Sequence, residues 1–483
     1  MKSRKVLLGL IAGFCVCFAG TVTAQKANFQ NNKLVEIGPD NIGGRVTTMV
    51  AMQKNDTRMY YAGAASGGLY SVKSLLATES EGVNGVWNYE PCYVDGKELT
   101  LPISCMIQVS DSTILIGTGE SYYAKGSKLN KMAALGRGMF LFNCNDNNPA
   151  TRFTRLTKTN PGYDLEADFA SVNSMSMMKL QGVTYVFVAT PKGLFRWVIN
   201  QASDWNNTPA KIFEGDVHSV VASKQYNRAF FTSKGNVYKI SDVINASAIV
   251  EITSSCTAFG NKAASIELAL APSDESYMYA MACDANGLMT GLYLTRNTNS
   301  WQLLSTSTVT PFTSAATAKT CGSLTVSSID PTKVYIGGAN LWMGKGYVEN
   351  APYQWTVSSS NENQLNAGDY MSMVYSNIQF VHSGMHQILA IPEWNDVAGM
   401  IENLFIATDG GIYVGSGSGS TYFFTNHNRG LNNVQTARPL IWTLFKPRLW
   451  FEQCPDQRSC CLPRWFYHQR CQQQRLPLHR GSC

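Results

Sequence analysis

The 483-residue chain is only 15% charged, and its forty glycines and twenty-two tyrosines point away from a helical protein. Its net charge of +6 resides in residues 438–483, where eight Lys/Arg face Glu452 and Asp456, so residues 1–437 balance to zero. That excludes a body-wide basic surface for nucleic acid, and beyond the N-terminus no apolar stretch reaches the roughly 18 residues a bilayer span requires.

Residues 1–24 read as a signal peptide. Lys2, Arg4 and Lys5 form a basic start, Val6 to Ala19 an apolar centre, and Val22-Thr23-Ala24 a small-residue cleavage site before Gln25. The expectation is an exported protein without a membrane span in its mature chain. Of thirteen cysteines, Cys15 and Cys17 leave with the signal and five lie after residue 450. The remaining six (Cys92, Cys105, Cys144, Cys256, Cys283, Cys321) are an even set, which in an exported chain permits disulfides that spacing cannot pair. None has CxxC spacing and the histidines do not cluster with them, so no metal and no cofactor is expected.

From Ile37 to Val72 the chain reads strand, turn, strand, turn, strand. Arg45 to Met52 mixes β-branched and apolar residues without a helical stripe. Gln53 to Asp56 is a turn cluster, and Tyr60 to Ala65 is a second strand that ends in small residues, letting neighbouring backbones approach. Ser66-Gly67-Gly68 then turns into Leu69–Val72. Similar units start near Ser104, Val172, Val217, Ser265, Cys321 and His386, at separations of 45 to 68 residues. That spacing approaches the roughly 40–50 residues of a propeller blade plus its loops. The expected fold is all-β, a β-propeller of seven four-stranded blades, or eight with the last incomplete, over residues 30–435.

IGPDNIGGRV with AGAASGGLYSV resembles the first blade of secreted propellers of the sortilin-type and BNR/xyloglucanase-type families. HQILAI, NLFIATDGGIYVGS and NRGLNNVQ are similar to their late blade. Such propellers occur in Bacteroidota as type IX secretion substrates, which the resemblance implies here. The Asp-box of these families is degraded: Thr295 to Trp301 stands in its place without the Asp. From about Thr436 the strand rhythm stops. The Cys-, Arg- and Gln-rich residues 436–483 read as irregular, with translation out of frame as the leading explanation and a disulfide module or a basic surface-binding tail as alternatives. Loss of a C-terminal sorting signal would leave the protein periplasmic instead of secreted or on the outer surface.

Propellers bind at one mouth of the central channel. The candidates there are Asp40, Arg45, Glu120, Tyr122, Tyr123, His386 and Asp409. By the xyloglucanase resemblance, Asp40 and Asp409 would be paired catalytic carboxylates if within roughly 5–10 Å. The simpler reading makes Asp409 a turn former in Thr-Asp-Gly-Gly and Arg45 a buried cation needing a carboxylate partner. Arg45, Glu120, Tyr122, Tyr123 and His386 would bind ligand, with Tyr122 and Tyr123 as a sugar-stacking corner. His382 and His386 have i, i+4 spacing but no third metal ligand. Six tryptophans (Trp87, Trp197, Trp205, Trp301, Trp342, Trp355) serve either as sugar platforms or as outer core. The expected function is a protein- or glycan-binding scaffold at the cell surface. A glycoside hydrolase of xyloglucanase or sialidase type is the alternative, although the sparse arginines offer no sialidase triad.

Overall fold

The computed structural model describes residues 43–54, 57–76, 78–79, 85–121, 132–254, 256, 263–305, 308–312, 322–346, 353–359, 380–418, 421–431, 433, 438–441 and 449–452. These residues form seven four-stranded antiparallel sheets, six built from strands consecutive in the chain and the second interrupted by the small hairpin Glu120–Ser121 with Met132–Ala134. The seven inner strands are Val46–Lys54, Ile103–Ser110, Ser174–Leu180, Val217–Ala222, Ser265–Leu270, Ser323–Val326 and Met385–Asn395. Each begins within two residues of its expected start. Successive inner strands are neighbours, and the seventh lies beside the first, so the sheets are blades of a closed seven-bladed β-propeller. Among the described residues there is no eighth blade. Strands Arg438–Ile441 and Leu449–Glu452 pair only with each other.

The small ends of the second strands explain why the blades pack radially. A Cβ on Gly63 would stand 2.5 Å from Ile103 of the second blade, and one on Gly117 would stand 2.8 Å from Val172 ahead of the third. Gly337 meets Met385 of the seventh blade in the same way, at 2.9 Å. A side chain there would push the next inner strand outward. Seven apolar clusters fill the seven interfaces, each drawing on two adjacent blades. Burial of this apolar area is the dominant stabilisation.

An inner strand has a free edge whose backbone groups need partners. Hydroxyls and amides of adjacent blades supply them. Thr47 Oγ1 donates to Ile103 O at 2.7 Å, Ser104 Oγ to Val172 O at 2.8 Å, and Asn173 Nδ2 to Val217 O at 2.7 Å. Farther round, Thr232 Oγ1 donates to Ile266 O at 2.9 Å and Thr325 Oγ1 to Ile388 O at 2.7 Å. At the periphery the expected outer-core role of tryptophan holds. Trp87 and Trp197 are 2% and 1% exposed. Indole N–H groups of Trp87, Trp301 and Trp355 donate to His427 O, Ile252 O and Leu304 O of the preceding blade, at 2.7, 3.0 and 3.1 Å. The degraded Asp-box remains a turn, with Thr298 at φ +63° and its N–H on Thr295 Oγ1 at 3.0 Å.

Among the described residues, ring closure shares no strand between the chain ends. Residues His427–Leu431 and Asn433 clasp the first blade instead. Trp87 N donates to Arg429 O at 2.9 Å, and Asn433 Nδ2 donates to Arg45 O at 2.5 Å. Leu431 packs so tightly on Gly43 that a Cβ there would stand 2.4 Å away. The described cysteines Cys92, Cys105, Cys144, Cys256 and Cys283 form no disulfide with one another. Burial pushes the thiols of Cys92, Cys105 and Cys283 up to about 12. The disulfides that an even cysteine set permits are thus not formed among these five; Cys321 lies outside the described residues.

Candidate functional site

All seven inner strands start at the same end of the channel, where the turns between second and third strands also lie. Four of the starts carry register irregularities, at Val46/Thr48, Ile103/Cys105, Val217/Val220 and Met385/Gln387. Such bulges re-aim side chains. Arg45 enters the first of these strands, and His386 occupies the bulge of the seventh. Asp409 sits in the tight turn between Gly399–Thr408 and Gly411–Ser418, while Glu120 opens the short strand Glu120–Ser121.

These four candidates meet. Arg45 Nη2 donates to Glu120 Oε1 at 2.7 Å, and its Nε lies 3.5 Å from Asp409 Oδ1 and 3.2 Å from His386 Nε2. His386 Nε2 is in turn 2.8 Å from Asp409 Oδ1. The Arg45 and His386 side chains are each 8% exposed, Glu120 16% and Asp409 27%. Burial by itself would raise the Asp409 carboxyl. His386 and then Arg45 outweigh it and hold Asp409 below the usual carboxylate range.

The motifs at the two ends of the propeller build this cluster jointly. In Thr-Asp-Gly-Gly, Thr408 Oγ1 accepts from Gly410 N at 3.1 Å and donates to Gly411 O at 2.9 Å, fixing the turn. Gly384, at φ +78°, leaves room for Asp409, since a Cβ would stand 2.1 Å from its Oδ2. Arg45 O accepts from Ala65 N at 3.1 Å as well as from Asn433. Gly43–Arg45, Ala64–Gly68, Thr408–Gly411, Asn428–Leu431 and Asn433 therefore converge on one corner, where the first, second and seventh blades meet.

His382 is 3% exposed, bonds Ser383 O at 2.8 Å through Nδ1 and packs on Gly410. Its place is beneath the turn. Asp40, Tyr122 and Tyr123 lie outside the described residues. Sequence reasoning missed three polar groups at this end. Gln387 Oε1 accepts from Met49 N at 2.5 Å, and Asn428 Oδ1 from Ile412 N at 2.7 Å. The third is an acid–imidazole pair on blades four and five: His218 Nε2 lies 3.3 Å from Glu267 Oε2, and Ser219 Oγ is 3.3 Å from Glu267 Oε1. Its only signal was a histidine one residue into an apolar inner strand.

No protein-family model matches this chain, and no curated protein does. Among solved structures, it is similar to one described as the extracellular domain of a one-component system from B. thetaiotaomicron. That match has 13% identity and a TM-score of 0.45, and it covers 79% of this chain and 39% of the other. It is also similar to the WD40 repeats of RRP9, at 12% identity and a TM-score of 0.36, covering 62% and 76% of the two chains. The class of protein is defined by the blades themselves, a seven-bladed β-propeller. Among the described residues no helix is long and apolar enough to cross a membrane.

Proposed function

We propose that this is an exported binding propeller of sortilin/BNR type, acting at the cell surface or beyond it as a scaffold for a protein or glycan ligand held at the Arg45 mouth. The observation that carries the reading is the Arg45–Glu120–Asp409–His386 cluster. Charged and hydrogen-bonding side chains stand fixed together at one mouth of the channel, which suits recognition of a polar ligand.

The cluster favours binding over hydrolysis. A glycosidase acid must keep its proton near neutral pH, which requires a raised pKa. Asp409 is shifted the other way, and both Asp409 and Glu120 are tied to Arg45. The test is a glycan and peptide array probed with the full chain and with Asp409→Asn. Loss of a specific signal in the variant is the expected result. Release of reducing sugar from a polysaccharide by the wild type, abolished in Asp409→Asn, would replace the scaffold with the hydrolase.

A further inference from the structure

The His218–Glu267 pair repeats a feature of the Arg45 cluster elsewhere in the ring. His218 and His386 both follow the first residue of a bulged inner strand. Val217 pairs with Ser233 and Met385 with Thr408, each at the end of its second strand. Each imidazole faces a carboxylate through Nε2, at 3.3 Å to Glu267 and 2.8 Å to Asp409. Both pairs therefore stand at the same mouth. In a closed ring of seven, blade four stands three places from both blade seven and blade one, so the pairs occupy opposite arcs of the channel.

The second pair is accessible. His218 and Glu267 side chains are 25% and 31% exposed, although they belong to inner strands with buried neighbours. Ser219 braces the acid: its Oγ lies 3.3 Å from Glu267 Oε1 and accepts from Leu268 N at 3.2 Å. In the first halves of the described inner strands, Arg45 included, the charged or imidazole side chains are Arg45, His218, Glu267 and His386. Among the described residues, the carboxylates of each cluster outnumber its guanidinium and ammonium groups by one, the imidazoles not counted. Glu120 and Asp409 face Arg45 in the first, and Glu267 stands with His218 in the second.

We propose that His218 and Glu267 form a second subsite of this mouth, and that the ligand is a basic peptide segment placing one Lys or Arg side chain at each acidic pole. The inference rests on the mouth being the binding face. A preorganised carboxylate favours an ammonium or guanidinium, because charge-assisted hydrogen bonds are about twice as strong as neutral ones. Two poles of one sign across a channel select a ligand with two separated cations over one with a single cation.

The experiment is calorimetric titration of the full chain with peptides carrying two lysines at increasing glycine spacing, and with a single-lysine peptide. Glu267→Gln is expected to weaken the best two-lysine peptide roughly tenfold, the loss of one charged hydrogen bond, and to leave the single-lysine peptide unchanged. Asp409→Asn is expected to weaken both. If Asp409→Asn weakens binding and Glu267→Gln does not, the second subsite is overturned while the mouth stands. If neither matters, the binding mouth itself falls. Spermidine binding as tightly as the peptide, with the same response to Glu267→Gln, would overturn the peptide as the cation's source. Preference for a neutral oligosaccharide would overturn the cationic ligand altogether. Hydrogen exchange on the wild type guards against misfolded variants: the two-lysine peptide should protect Val217–Ala222 and Ser265–Leu270, and lack of protection there overturns the subsite.

Discussion

Acid should loosen the clasp that closes the ring, and His427 sets the pH at which it does so. His427 is 6% exposed, its carbonyl accepts from the Trp87 indole at 2.7 Å, and its N–H donates to Ile412 O at 2.9 Å. Thr425 Oγ1 lies 2.9 Å from its Nε2. Burial pushes the imidazole down to about 4, against about 6.5 in an unfolded chain. Between these values the unfolded chain binds the proton and the folded protein does not, so stability falls as pH falls. The contribution is intact above about pH 6.5, and by pH 5 about 2 kcal/mol is lost through this one group. The assay is urea denaturation of wild type and His427→Gln from pH 8 to pH 5. Because Gln does not titrate, the gap between the two stabilities should narrow by about 2 kcal/mol as pH drops to 5. Parallel curves would refute the reasoning, for then the imidazole has no burial penalty to relieve.

Other tests address the ring and the mouth. Trp87→Phe leaves His427 O buried without its indole donor and should cost about 1–3 kcal/mol in denaturation, whereas Trp394→Phe, on a side chain 67% exposed, should cost less than about 0.5 kcal/mol. Gly67→Ala would bring a Cβ within 2.5 Å of Asn433 Oδ1 and should lower stability by about 1–3 kcal/mol; an unchanged midpoint would show that the clasp yields freely. Arg45→Met takes the guanidinium from Glu120 and Asp409, leaving Asp409 with His386 alone, and should destabilise by about 3 kcal/mol. Adding Glu120→Gln and Asp409→Asn should recover part of that loss, and a strictly additive cycle would dismiss the cluster as an energetic unit. Deletion of residues 438–483 should leave the melting transition unchanged or sharper, as expected if the tail contributes nothing to folding; a large loss would sink that reading.

The repeat was legible because a blade is a local object. Strand, turn and small-ended second strand follow one another along the chain, so Ser265 and Val217 were placed at strand starts from sequence rhythm alone. Arg45, Glu120, His386 and Asp409 were also legible singly, as polar residues at strand starts and turns. Their meeting was not, because Arg45 and Asp409 come together only when the seventh blade reaches the first. Cysteine count left the pairing open, since parity says nothing about separation, and the structure keeps Cys92 and Cys283 as buried thiols.

By itself the sequence determined the strand periodicity, the start of each blade and the glycines that keep the blades close, while the choice between seven blades and eight came from the structure. These follow from side-chain size and backbone freedom within some fifty residues, the length of one blade with its loops. The tertiary structure decided how the ring closes and which polar groups share a mouth. Closure joins His427, Arg429 and Asn433 to Trp87 and Arg45, and curvature places His218 and Glu267 on the arc opposite His386. Contacts of that kind depend on the angle accumulated over seven packed interfaces, which no local pattern encodes.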